Sequence, residues 1–518
     1  MPEPHLLAID VGTQSVRAVL FDPSGAQIAL ASAQLGPYAA PQPGWTEQDA
    51  PVFFDRLAEA CQALWTRPGV DRQRIAAVAL TCQRGTVVNL DERGLPLRPA
   101  ILWPDARRIA GQPPIRGIWG PLLRLAGVAD TVANFQAAAE ANWIRERQPE
   151  IWSRTAKYLL LSGYLTHRLT DRYVDSVGCQ VGYIPFDYKR QRWAAAGDWK
   201  WQAVRVEPDK LPELIAPGQR LGTITAAAAA ATGIPLGLPL IAAAADKACE
   251  VLGVGSLSPE TACLSYGTTA TINVATDRYL EAVPHIPPFP AANPGAYNAE
   301  IQIYRGYWMV TWFRDNFGAP EVERAAREGV APEALLDQMI ESIPPGADGL
   351  ILHPYWSPGV REPGPEARGA ILGFADFHTR AHVYRALLEG IAYALREGKE
   401  RIEARSRASL RRLMVAGGGA RSDVAMQITA DIFGLPATRP RIRESSALGA
   451  AIVAAVGLGI FENFPAAVAA MTHEGDTFTP RPDASARYDR LYREVFCPIY
   501  PRLRPLYRAL RAITGYPP

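Results

Sequence analysis

The 518-residue chain is poor in cysteine: six residues, at 61, 82, 179, 249, 263 and 497, with no CxxC pair among them. That spacing excludes a disulfide framework and a zinc ribbon, and it fits a reducing compartment. The seven histidines contain no HExxH. No apolar run approaches the roughly 18–20 residues that a membrane-spanning helix needs. Charge of one sign is also lacking. Lys and Arg number 54 against 52 Asp and Glu, a net +2, so neither nucleic acid nor an anionic membrane is an expected partner. The Walker phosphate loop is missing too, since the only Gly-Lys pair, Gly398-Lys399, lies in a charged helical stretch. A nucleotide, if bound, must be held some other way. The first residues show no basic n-region or long apolar h-region, so no secretory leader is expected and a cytoplasmic protein is.

What is present is an ordinary globular composition, 48% hydrophobic and 20% charged, on a chain long enough for two substantial domains. The organising stretch is Leu6 to Asp22. An apolar run ends on Asp10, a Gly12-Thr13-Gln14-Ser15 turn follows, and a second strand leaves it. Gly12 allows close backbone approach, and Thr13, Gln14 and Ser15 supply amide and hydroxyl donors suited to a phosphate chain. Asp10 stands where a carboxylate can hold a divalent cation through water. The plainer alternative is a hairpin with a polar tip.

The pattern recurs downstream. Residues 239–246 form a second apolar run closing on Asp246, and Thr261 to Val274 again reads strand, Gly267-Thr268-Thr269 turn, strand. A third turn, Gly417-Gly418-Gly419 leading to Ser422, lies between a strand and a helix expected over 423–433. Glycines there clear the path of a flat nucleoside. Gly306 opens another helix, where free backbone amides can meet a phosphate. The glycine pair Gly253 and Gly255 lacks the third glycine of a dinucleotide fingerprint and reads as helix–strand packing.

In order and spacing the three turns resemble the actin-like ATPase superfamily, and within it the FGGY carbohydrate kinases. The resemblance runs from about residue 6 to 465. Its second signature is approximated by Gly369 to Phe374 and then His382 to Glu389, with the loop 355–369 before it; Phe374 replaces the usual aliphatic residue. It implies an α/β protein of two ribonuclease H-like domains, 1–238 and 239–518, flanking a deep cleft that binds ATP and Mg²⁺. By motif position Asp246 is the general base, with Asp10 and Asp246 beside the metal. Gly12–Ser15 and Gly267–Thr269 clamp phosphates, and Gly417–Gly419 with Ser422 take the nucleoside. The loops at Gln83-Arg84 and Trp103-Pro104-Asp105 look like sugar-recognition loops, with Trp45 in a loop that can help line the pocket. The plainer alternative makes Asp105, Arg107 and Arg108 a surface ion-pair cluster.

Two departures bear on the substrate. Arg84-Gly85 stands where glycerol kinases commonly have Arg-Glu, and Lys247 stands where many members place an amide. Lys247 facing the cleft would lower the pKa of Asp246 and favour acidic sugars; turned away, it would pair with Glu250 on the surface. The Pro-Gly-Trp loop and the 99–108 segment look most like xylulokinases, although the Met-His pair common in their sugar loop is absent. The expected activity is phosphorylation of a ketopentose such as xylulose, with another polyol, ketose or sugar acid as alternatives. An actin- or Hsp70-like ATPase and a sugar-sensing pseudokinase are the rivals from other classes. Sugar and ATP are the expected partners, and a homodimer is left open.

Overall fold

The computed structural model describes residues 3–515 apart from 358 and 360–362, so part of the 355–369 loop lies outside the described residues. Two open sheets dominate, and they share a strand plan. In the first, β1 (His5–Val11), β2 (Ser15–Phe21) and β3 (Gln27–Gln34) form an antiparallel meander. β4 (Ile75–Cys82) pairs parallel with β1. β5 (Arg220–Thr223) lies at the far edge, antiparallel to β6 (Pro239–Ala242), which pairs parallel with β4. The order is therefore β5-β6-β4-β1-β2-β3.

In the second sheet, β7 (Thr261–Tyr266), β8 (Ala270–Thr276) and β9 (Tyr297–Ile303) form the meander. β10 (Arg412–Ala416) and β11 (Ala437–Pro440) add parallel to it, and β12 (Glu474–Phe478) closes the edge antiparallel. Apart from an extra edge pairing at Phe289–Pro290, its order β9-β8-β7-β10-β11-β12 repeats the first. The duplicated turns of the sequence thus join equivalent strands. The expected boundary at 238 falls before β6, whose Leu240, Ile241 and Ala242 pair with Val78, Ala79 and Leu80; the first sheet runs past it.

Alternation along β1 explains its unbroken apolar run. Leu7, Ile9 and Val11 pack with Phe53 and Leu57 of α1 (Ala50–Trp65), whereas Leu6 and Ala8 face the opposite layer. That layer is supplied by α2 (Asp246–Gly253) and by a helix from the second half, Ser445–Gly457. α2 also presents Val251 to the back of the second sheet, against Cys263 and Met414, so it bridges both cores.

Among the other helices, those that bear on the site and its support are α3 (Trp308–Phe317), α4 (Arg380–Ser406), α5 (Asp423–Phe433), α6 (Ser445–Gly457) and α7 (Cys497–Thr514). α4 carries the second signature. Leu387, Leu388, Ile391 and Ala394 are core, and buried Glu389 accepts from Arg385 Nε, Tyr488 Oη and Gly346 N. This part of the signature is structural. The segments near 175 and 184 do not pair with each other: Val174–Ser176 pairs with Glu213–Ile215, and Phe186–Asp187 with Arg192–Trp193. Asp49 precedes α1 without a side-chain cap bond. The terminal helix runs through Pro501 and Pro505 rather than breaking, preceded by a π-turn at Leu491–Phe496.

Candidate functional site

A cavity of about 580 Å³ opens between the two sheets at the ends of their central strands. Both hairpin tips reach it. Gly12 N donates to Ser15 O at 3.1 Å, and Gly267 N donates to Thr269 O at 3.1 Å, so each turn is closed by its own glycine amide. Gly12, Thr13, Gln14 and Ser15 line one wall, Gly267 and Thr268 the other. Thr269 is buried behind its turn.

Asp10, the last residue but one of β1, stands opposite Arg17, whose Nη1 donates to Asp10 Oδ2 at 3.3 Å and lies 3.2 Å from Glu444 Oε2. Burial pushes the Asp10 carboxyl up to about 7; Arg17 opposes that shift, and the charges of Asp246, Glu444 and Glu250 add to it. Asp246 is the first residue of α2, and its Oδ1 accepts from Lys247 N at 2.7 Å. Burial raises its pKa as well, against the lowering charges of Lys247 and Arg84. Lys247 therefore acts in the expected direction, but burial outweighs it.

Lys247 realises both expectations for it in part. It borders the cavity, yet Nζ donates to Glu250 Oε2 at 3.0 Å and to Ser265 Oγ, and the pair is largely buried rather than on the surface.

Among the described residues no cluster of three or more His, Cys, Asp or Glu side chains could hold a metal alone. Mg²⁺ commonly takes one or two carboxylates and fills its shell with water and phosphate oxygens. Asp10, with Asp246 near enough to disfavour its ionisation, fits that donor set, because a cation would relieve both.

The third turn forms the far end. Gly417, at φ 87°, stands where a Cβ would meet Tyr266 backbone atoms at 2.8 Å, while a Cβ on Gly418 would meet nothing within 4 Å. Gly418 lines the cavity beside Ala420, Arg421, Arg439 and Arg441. Two expected members of this group are placed elsewhere. A Cβ on Gly419 would press 2.3 Å from the Tyr307 ring, and Ser422 Oγ caps α5 by accepting from Ala425 N at 2.9 Å. Gly306 departs as well. Tyr307 N and Trp308 N donate to Gly267 O and Thr268 O, at 3.1 and 3.3 Å, so these amides lock α3 to the second hairpin instead of meeting a phosphate. Gly306 is required because a Cβ would fall 2.2 Å from Ala270 N.

On the acceptor side, the loop after β4 carries Gln83 and Arg84. Gln83 is buried with both side-chain polar atoms unpartnered. Gly85 adopts φ 65°, which disfavours a glutamate at that position. Trp103 Nε1 donates to Thr13 Oγ1 at 3.2 Å, tying the 99–108 loop to the first hairpin. Asp105 does not present a free carboxylate. It accepts from Thr46 N at 2.6 Å and from Arg107 Nε and Nη2 at 2.8 and 2.7 Å. The ion-pair alternative for Asp105 and Arg107 is thus the observed one, although buried, and Arg108 binds Asn134. Trp45 packs edge-on to Trp143 and under Arg107, in a separate hollow with Arg108 and Gln148.

Sequence reasoning missed Glu300. It comes from β9 and receives Arg84 through two hydrogen bonds. The available signal was the period-2 polar run Asn298, Glu300, Gln302, facing Asn273 and Thr271 across the sheet.

Comparison with known proteins fits this arrangement. The model of the FGGY family of carbohydrate kinases, N-terminal domain, matches residues 5–253, and that of its C-terminal domain matches 262–458. The chain belongs to the FGGY family of carbohydrate kinases. It is similar to an uncharacterized sugar kinase, YgcE, of Escherichia coli, at 30% identity over 96% of this chain and 93% of that one. It is similar to a xylulose kinase of Lactococcus lactis, at 29% identity over 94% and 95%. The crystal structure of xylulose kinase from Rhodospirillum rubrum superposes with a TM-score of 0.80, at 28% identity over 97% of this chain and 100% of that one. FGGY relatives at similar identity also bear the names gluconokinase and glycerol kinase. The chain is therefore a sugar-phosphorylating enzyme of the actin-like ATPase fold, and ATP is the phosphate donor of its family. Among the described residues no helix is long and apolar enough to cross a membrane.

Proposed function

We propose that the protein transfers the γ-phosphoryl group of MgATP to a hydroxyl of a ketopentose, with xylulose the first choice. The observation that carries the reading is the position of Asp246. It opens α2 between two glycine-closed hairpins, with Arg84 on its acceptor side. The names of the relatives and the length of the likeness to xylulose kinases support the choice of sugar.

In this reading Asp246 accepts the proton of the attacking hydroxyl, at whichever carboxylate oxygen is free of the Lys247 amide. The turns Gly12–Ser15 and Gly267–Thr268, each closed by its own glycine amide, grip the phosphate chain from opposite walls with their remaining amides and hydroxyls. Phosphoryl transfer has a loose transition state, so positioning and neutralisation carry most of the catalysis. Asp10 is the residue that would hold Mg²⁺, whose contribution when bound is to neutralise phosphate charge. Gly417 and Gly418 leave room for the nucleoside, and Gln83 offers its unpartnered amide to sugar hydroxyls. A coupled ADP-release assay over pentuloses, hexuloses, polyols and aldonates tests the assignment. Xylulose or a neighbouring ketopentose should rank first, and a polyol or hexulose at the top would overturn it.

A further inference from the structure

Two cations act on Asp246, those of Lys247 and Arg84, and neither is free. Lys247 is held by Glu250 and Ser265. Arg84, in the first domain, donates Nη1 and Nη2 to Glu300 Oε2 and Oε1 of the second, at 3.1 and 2.9 Å. Only 16% of the Arg84 side chain and 3% of the Glu300 side chain remain exposed. Phe289 floors the guanidinium at 4.9 Å. Farther along the cleft Arg17 is likewise shared between Asp10 and Glu444. Every cation in this row is matched by a carboxylate of the protein, and Asp246 itself is an acid in surplus.

We infer that the acceptor site is built for an uncharged sugar, and that Glu300 is the residue that sets this preference. The inference rests on the sugar-kinase reading above and adds the residue behind its preference for a neutral acceptor. A guanidinium recognises a carboxylate best through two parallel N–H donors. Glu300 already occupies that fork. A sugar acid entering beside Asp246 would meet that surplus carboxylate, while the cations nearest to it, Lys247 and Arg84, are already held by Glu250 and Glu300, and like charges brought together without a partner are rejected. A neutral ketose needs no such cation. Its hydroxyls both donate and accept, which matches the unpartnered Gln83 amide, itself donor and acceptor. Removing the Glu300 charge would leave Arg84 buried and uncompensated, and so receptive to an anion.

The test compares xylulose with gluconate in the wild type, in Glu300→Gln and in the double variant Arg84→Gln/Glu300→Gln. Binding is read by calorimetry in the presence of a non-hydrolysable ATP analogue, and turnover by ADP release. The wild type should favour xylulose over gluconate by at least about tenfold. Glu300→Gln should cut that ratio at least about fivefold by tightening gluconate, and the double variant should lose the gain. Should Glu300→Gln not fold, Glu300→Asp, which keeps the charge but loosens the fork, should move the ratio the same way by a smaller factor. Wild-type protein that binds gluconate as well as xylulose would overturn the inference. So would variants that weaken both sugars equally, or a gluconate gain that survives loss of Arg84. The two readings can fail separately. The expected binding ranking without sugar phosphorylation would sink the kinase assignment and leave charge selection standing. Efficient phosphorylation of both sugars would do the reverse, and binding of neither would sink both.

Discussion

Gly449 of α6 lies so close to Cys249 of α2 that a Cβ on it would stand 1.9 Å from the Cys249 carbonyl oxygen. The contact is reciprocated. A Cβ on Gly253 of α2 would stand 1.9 Å from Ser445 O. The two helices thus cross backbone against backbone, and Asp246 stands at the start of one of them. The glycine at 253, read from sequence as helix–strand packing, serves this crossing instead.

Gly449→Ala is therefore expected to destabilise the chain by about 2–3 kcal/mol, the upper part of the range for overpacking, because a carbonyl cannot rotate aside as a side chain can. Urea unfolding measures it. A loss under about 0.5 kcal/mol would mean that the helices slide apart at little cost, and the crossing would not then be what fixes Asp246.

Asp246→Asn should lower sugar phosphorylation by roughly 10²–10⁴-fold while ATP affinity persists. The substitution keeps the shape and an acceptor oxygen for the Lys247 amide, so it removes proton acceptance with little else. Single-turnover ADP release and calorimetry separate the two effects. A variant that keeps more than about a tenth of wild-type turnover would count against Asp246 as the base.

Gly418→Val should raise the KM for ATP much more than the KM for sugar. Gly417, not Gly418, has the left-handed backbone, and the space around a Gly418 Cβ is empty. The variant should fold, and its side chain should occupy cavity that the nucleoside needs. Unchanged ATP affinity in the folded variant would move the nucleoside site elsewhere.

Much of this site was legible because its signals are local. Asp10 with Gly12–Ser15, and Gly267 with Thr268, each sit within one hairpin, and an apolar run ending on an acid and a glycine turn can be read over a dozen residues. The strand plan followed from the repeat of that pattern. What was not legible depends on distant partners. Arg84 reads as a sugar ligand until Glu300, 216 positions away, is placed against it. Asp105 reads as a polyol ligand until the buried guanidinium of Arg107 folds back on it. Ser422 is a different failure: it directly precedes a helix, where a serine most often caps, and the glycine turn before it drew attention away from that rule.

His353 gives the fold an acid-sensitive seam. It ends the strand Ile351–His353, is 1% exposed, and lies against the rings of Tyr355 at 4.4 Å and Phe496 at 5.0 Å. The nearby acids bond to phenol hydroxyls, Glu397 to Tyr355 and Glu366 to Tyr500, and His353 Nδ1 has no hydrogen-bond partner. Burial alone pushes the imidazole down to about 3 from an ordinary 6.5. Between those values the unfolded chain binds one more proton than the folded one, so stability falls as the pH drops below 6.5, and the loss is complete only below 3. At pH 5 the loss from this group is about 2 kcal/mol, from 1.36 kcal/mol per pH unit. His353→Phe keeps an aromatic ring in the seam and cannot titrate. Its unfolding free energy should therefore fall less between pH 7 and pH 5 than that of the wild type, by about that amount. Equal slopes in urea titrations of the two proteins would assign the acid sensitivity to other groups and leave His353 as packing alone.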